Sequence, residues 1–242
     1  MTNVFLYGML SVLPLIVGAI LGSVFHVKEK IIGVISAFGA GAMIAALTFG
    51  LMEESFKLGG FDNSILGFVV GGLIFVIGDY FIIKAGGRGH KRYYNAEGST
   101  GRGIVLGAIL DGIPESIALG IGLFLNPAVG LLMLVGIFSS NLPEGISSAY
   151  DLKKQRKSIK EILITWIVVA LVGLAFVILG YTIFSSFSPN VVATLESLAA
   201  GAILAMLAST MMPEAFKESG IDSSMATVLG FLLIFILSKV GV

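Results

Sequence analysis

Two short stretches place acids where acids are costly. Asp111, Pro114 and Glu115 interrupt the apolar run AILDGIPESIALG (108–120), and Ser140, Asn141, Pro143 and Glu144 interrupt FSSNLPEGISSAY (138–150). Asp111 and Glu115 are four residues apart, as are Ser140 and Glu144, so each pair shares one face of a helix. Asn141, three residues before Glu144, reaches the same side. An ionised carboxylate at the bilayer centre costs about 2.5–3.5 kcal/mol even on the most lenient scale. Neither run carries a Lys or Arg that would offset it. The acids must be protonated or must hold a cation. Each proline also withholds an N–H, from the carbonyl of Leu110 and from that of Ser139. A kink is expected at both, and freed carbonyls beside an acidic face are one way transporters build cation sites.

The two motifs align at an offset of 29 residues, DGIPES on SNLPEG. Consecutive spans are antiparallel, so an in-plane pseudo-twofold would bring the two Pro-Glu turns together. A proline kink used only for packing, with the acids protonated, is the simpler alternative for one such motif; two in register favour a site. Its donors are all oxygen. The chain has no cysteine, and its two histidines, His26 and His90, lie outside both runs. Carboxylate, amide and hydroxyl suit harder ions such as Mg²⁺, Mn²⁺ or Ca²⁺, while Zn²⁺ and Fe²⁺ also accept carboxylate.

The elements that must position these residues are membrane spans. Hydrophobic residues make up 56% of the chain and charged ones 12%, about half the share of a soluble domain, and the mean hydropathy is +1.00. Eight apolar segments are expected as helices, at 4–26, 31–52, 64–84, 103–125, 128–148, 161–184, 191–212 and 223–241. They lack the two-residue alternation of a barrel. The whole of 1–242 then forms a single transmembrane domain of the all-α class. The start, MTNVFLYGML, has no basic leader, so the first run is read as a retained helix. With the N-terminus outside, thirteen of the fifteen Lys and Arg residues fall in cytoplasmic loops. That orientation obeys the positive-inside rule and places both termini outside. The segment 85–102, rich in Gly and polar residues, is the long cytoplasmic loop. Fifteen basic and fifteen acidic residues give no sign of a nucleic-acid partner.

The chain also matches itself. GAMIAALTFGLMEESFKLGGFDNS (41–64) aligns at an offset of 160 with GAILAMLASTMMPEAFKESGIDSS (201–224), with eleven of 24 positions identical, including Glu54/Glu214, Lys57/Lys217 and Gly60/Gly220. The copies are spans two and seven, five spans apart, so they run in opposite directions. Inverted repeats of this kind belong to secondary transporters, whose sites sit near the midplane. Spans one to three would mirror six to eight, with four and five as the unpaired middle.

On these residues the chain resembles the ZIP family of divalent-metal transporters, closest to its bacterial branch. The resemblance covers nearly the whole chain, and its most specific part is the paired DGIPES and SNLPEG. It implies eight helices in a 3+2+3 inverted repeat, a metal centre between spans four and five, and uptake of zinc, iron or manganese across the plasma membrane. It assigns metal contacts to Asp111, Glu115, Ser140, Asn141 and Glu144. Where the family has a His-Asn pair in span four this chain has Asp111 and Gly112. Span six has no carboxylate beyond Glu161 at its first position. Ser209 and Thr210 stand where relatives carry His-Glu in span seven. One metal rather than two is expected, on a harder or broader site.

Glu54 and Glu214 are expected as equivalent pathway acids at opposite mouths, with Thr48, Ser209 and Thr210 along the way. Glu196 and Trp166 read as interfacial residues. Gly18/Gly22 and Gly67/Gly71 have the spacing of close helix contacts. No His-x-x-x-His or comparable pair lies in the spans, so no enzyme is expected, and no prosthetic group. The partners are divalent ions, the bilayer and a second copy of the chain. Two alternatives stay open: a proton- or monovalent-cation-coupled carrier, and a non-transporting scaffold or sensor on the same fold.

Overall fold

The computed structural model describes residues 2–84 and 101–240. His90 and all but the last two residues of the expected loop 85–102 lie outside them. Among the described residues the protein is helical throughout, with no strand. In chain order the helices are α1 (Thr2–Val24), α2 (Glu29–Ala46), α3 (Glu53–Lys84), α4 (Gly101–Leu125), α5 (Pro127–Lys154), α6 (Ile159–Ile183), α7 (Pro189–Met206), α8 (Met212–Ser219) and α9 (Asp222–Val240). Two π-helical turns, Leu47–Met52 and Leu207–Met211, join α2 to α3 and α7 to α8. Seven helical stretches are long and apolar enough to cross a membrane. One of them, Glu29–Phe81, runs for 53 residues.

Local chemistry explains the ends. Asn126 is the whole connection between α4 and α5, and its side chain accepts from the Ala128 N–H at 3.0 Å while Pro127 occupies the first helical position. Ser158 and Glu161 form a reciprocal capping box at the start of α6. Gly60 (φ 73°, ψ −171°) breaks the helix inside α3, and Gly220 (φ 60°) separates α8 from α9. Both need a positive φ that a side chain resists. α4 and α5 run on as helix through Pro114 and Pro143.

The helices pack as two groups that meet broadly. α1, α4, α5 and α6 form one, through the pairs α1–α5, α4–α6 and α1–α6; α2, α3, α7, α8 and α9 contribute the pairs α3–α7, α2–α9 and α2–α8, and α2 also packs extensively on α5 across the divide. Backbones in the second group touch across glycines. A β-carbon at Gly41 would overlap the Thr227 carbonyl, and one at Gly201 the Phe68 carbonyl. Without a hydrophobic force between helices in lipid, such close contact is what holds a bundle together. The main core joins both groups and includes Met43, Leu47, Leu51, Leu119, Met133 and Ile203.

Trp166 corrects an expectation. It is fully buried, in a second cluster with Ile104, Ala108 and Ile162, and its indole N–H has no hydrogen-bond partner among the described residues. It packs α6 onto α4 rather than anchoring the bundle at a lipid interface.

Gly41→Ala and Gly201→Ala are each expected to destabilise the detergent-solubilised protein by about 1–3 kcal/mol, the usual cost of overpacking. Gly78→Ala, where the nearest atom is a flexible Leu110 methyl at 3.4 Å, is expected to be near neutral. Thermal unfolding of the three variants checks the ranking.

Candidate functional site

The acidic stripes of α4 and α5 meet across a small cavity of about 40 Å³. Asp111 and Glu115 line it from α4, and Ser140 and Glu144 from α5. Thr210 and Glu214 close it from the second helix group. The volume suits a few waters or one partly hydrated ion. Glu115 and Ser140 are buried, and Asp111 and Glu144 are half-buried. No Lys, Arg or His belongs to the lining. Ile32, Pro143, Met206 and Met211 supply the apolar part of the lining, and a space with this many carboxyls in a low-dielectric wall favours cations over anions.

A second cavity of about 20 Å³ lies on the other side of the same two glutamates. Glu115 and Glu144 line both spaces and so form the partition between them. Asn141 belongs to this second cavity, beside Ser11, Gly112 and Ser116. Its amide Nδ2 donates to the Ser11 carbonyl at 2.8 Å, which ties α5 to α1. The five residues expected around one centre are thus divided: four share the larger space, and Asn141 reaches the partition from behind.

The expected pathway residues divide as well. Thr210 and Glu214 line the larger cavity; Thr48, Ser209 and Glu54 do not. Thr48 donates to the Ile44 carbonyl at 2.7 Å on an exposed face. Ser209 lies 3.4 Å from the Met206 carbonyl. Glu54 is at the other end of the bundle, 3.9 Å from the Lys57 ammonium. The π-helical turn Leu207–Met211 explains Thr210. One extra residue per turn rotates the following side chains, and Thr210 Oγ1 donates to the Met206 carbonyl at 2.7 Å inside that wider turn.

Ile32, Ser36 and Ser147 line the cavity without being singled out by sequence, and Met206, Met211 and Glu218, on the same stretch as Thr210 and Glu214, line it too. Ser147 extends the Ser140–Glu144 stripe by one turn, and Glu218 is four residues beyond Glu214, so helical spacing was a usable signal for both. Nothing in the sequence around Ser36 marks it. Among the described residues no three His, Asp or Glu side chains stand as a preformed metal cage. The carboxyls surround the space rather than converge on a point.

Compared with protein-family models and with curated proteins, the chain matches none.

A ligand held by these carboxyls stabilises the folded state by mass action, by about 2.7 kcal/mol at a hundredfold excess over its Kd. Wild-type protein is expected to gain stability of that order from a divalent cation, and the Glu115→Gln/Glu144→Gln variant to gain none. Thermal unfolding with and without each ion reads this directly; equal gains in both proteins would remove the site from α4 and α5.

Proposed function

We propose that the chain is a ZIP-type permease of the plasma membrane that carries a divalent metal cation into the cytoplasm by alternating access. The observation that carries this reading is the acid-lined cavity between α4 and α5 inside a bundle of apolar helices. Its lining extends from Glu115 at mid-helix to Ile32 and Glu218. Those residues lie at the end of the bundle where Lys30 pairs with Asp222 at 2.6 Å and Lys154 approaches Glu29 at 4.0 Å. By the positive-inside rule this basic end is cytoplasmic. Toward the other end, Leu119 follows Glu115 by one turn and packs with Leu47, Leu51 and Ile203 in one apolar cluster. A site reached from one side and sealed on the other is one half of an alternating-access cycle.

The eight-span, 3+2+3 inverted arrangement belongs to the same proposal. A straight helix of 53 residues would measure about 80 Å, against a hydrocarbon core of about 30 Å. Glu29–Phe81 therefore crosses twice, reversing at Gly60. The π-helical turns begin at Leu47 and Leu207, and the positive-φ glycines are Gly60 and Gly220, both at the 160-residue offset of the sequence match. Backbone irregularities repeated at one spacing support a duplicated unit.

The test is uptake by the reconstituted protein across Mg²⁺, Mn²⁺, Fe²⁺, Co²⁺, Zn²⁺ and Cd²⁺, with Glu115→Ala/Glu144→Ala alongside. The wild type is expected to move at least one of these ions and the double variant none above empty liposomes. Equal flux in both proteins for every ion would overturn the proposal. Flux of protons or monovalent ions with no divalent dependence would transfer the same acids to the proton-coupled alternative.

A further inference from the structure

Glu196 is the buried acid that this pathway leaves unused. Its place near the outer end of an apolar run suits an interfacial residue, but the structure buries it completely, 0% exposed on α7. Neither carboxyl oxygen has a hydrogen-bond partner among the described residues. Buried polar groups are almost always bonded, and one left without partners is costly to keep. Glu54 lies on the helix packed against this turn: its neighbour Ser55 donates to the carbonyl of Ala193, three residues before Glu196, at 2.8 Å. Glu54 is itself mostly covered, its side chain 23% exposed, and lies at the edge of reach of Lys57, which pairs more closely with Glu53 at 2.8 Å.

The position of this pair has a counterpart. Ser36 and Glu214 line the cytoplasmic cavity. At the 160-residue offset their counterparts are Glu196 and Glu54, and that of the lining residue Ile32 is Val192. The helices around the two sets dock alike. Gly33 lies against Ala215 and Ser219, and its counterpart Ala193 lies against Gly59 while the Ser55 hydroxyl donates to the Ala193 carbonyl at 2.8 Å. Ala215 and Ser219 stand 160 residues after Ser55 and Gly59. The two ends thus share one frame. One end opens onto the acids of α4 and α5, while at the other Leu51 precedes Glu54 and Ile203 follows Glu196 on their helices within the apolar core cluster.

We infer that Glu196 and Glu54 form a second divalent-cation site, an outer staging site that the ion occupies before it reaches Glu115 and Glu144. In this conformation the apolar cluster closes it off. When the outer half opens, Glu196 lines the vestibule as Ser36 now lines the inner one. Two carboxyls then offer oxygen donors to a hard or borderline divalent ion, with the exposed Lys57 ammonium at the rim as the charge the ion displaces. The inference rests on the transport reading and on its inverted repeat.

The chain has no cysteine, so Val192→Cys introduces a unique thiol, buried here at 3% exposure. In vesicles holding the full-length protein, a membrane-impermeant thiol reagent is applied outside, with Mn²⁺ or Zn²⁺ added alone. The thiol is expected to react, and the ion to slow the reaction about fivefold or more, the low end of usual coupling between sites. Adding Glu196→Gln is expected to abolish the protection, and Glu196→Asp to retain part of it. Glu54→Gln gives the same loss should the Glu196 variant not fold. Any protection by the thiol itself persists in both Gln variants. Undiminished protection in them overturns the staging site, as does a thiol that stays unreactive in vesicles that move the ion. Absence of cation flux in the wild type overturns the transport reading instead, and the protection ratio is read independently of it.

Discussion

Carboxyl groups gathered in a small space inside an apolar bundle repel one another when ionised, because low-dielectric surroundings screen charge weakly. That constraint organises the rest of the molecule. Asp111, Glu115, Glu144 and Glu214 surround one cavity of about 40 Å³. A divalent ion offsets the repulsion, and because its charge does so from the centre, no preformed cage is needed.

The constraint reaches outward through the packing. The acids sit on α4 and α5, which belong mainly to one helix group, while Thr210 and Glu214 belong to the other. The cavity therefore lies on the seam where the groups meet, and any shift of one group against the other changes its access. Backbones touch across glycines in both groups, at Gly41, Gly71, Gly201 and Gly230 in the second and at Gly18, Gly22 and Gly120 in the first. α4 and α5 hold their register through Asn126 and through the Asn141 bond to the Ser11 carbonyl.

Much of this was legible in the sequence, for physical reasons. Apolar runs of about 20 residues read as helices in lipid, and the described residues are helical; most bounds fall within a few residues of the expected ones, but the third helix starts at Glu53 rather than 64 and the fifth runs on to Lys154. Spacing of four put Asp111 with Glu115 and Ser140 with Glu144, and all four do line one space. What spacing could not show is which way an intermediate position turns. Asn141 sits one residue from Ser140, and about 100° around the helix is enough to send it to the second cavity. Ser36 carries no signal because its role comes from a helix far away in sequence. Glu196 and Trp166 were read as interfacial from their place near the ends of apolar runs. Their burial comes from neighbouring helices that overlap those ends, which hydropathy along one strand of sequence does not encode.

The account stands on a cation bound between α4 and α5. Anomalous diffraction from crystals of the full-length protein soaked in Mn²⁺ tests this most directly. One peak is predicted within oxygen-ligating distance of both Glu115 and Glu144, with no nitrogen or sulfur ligand. A bound ion located elsewhere in the helices, with that partition empty, would contradict it.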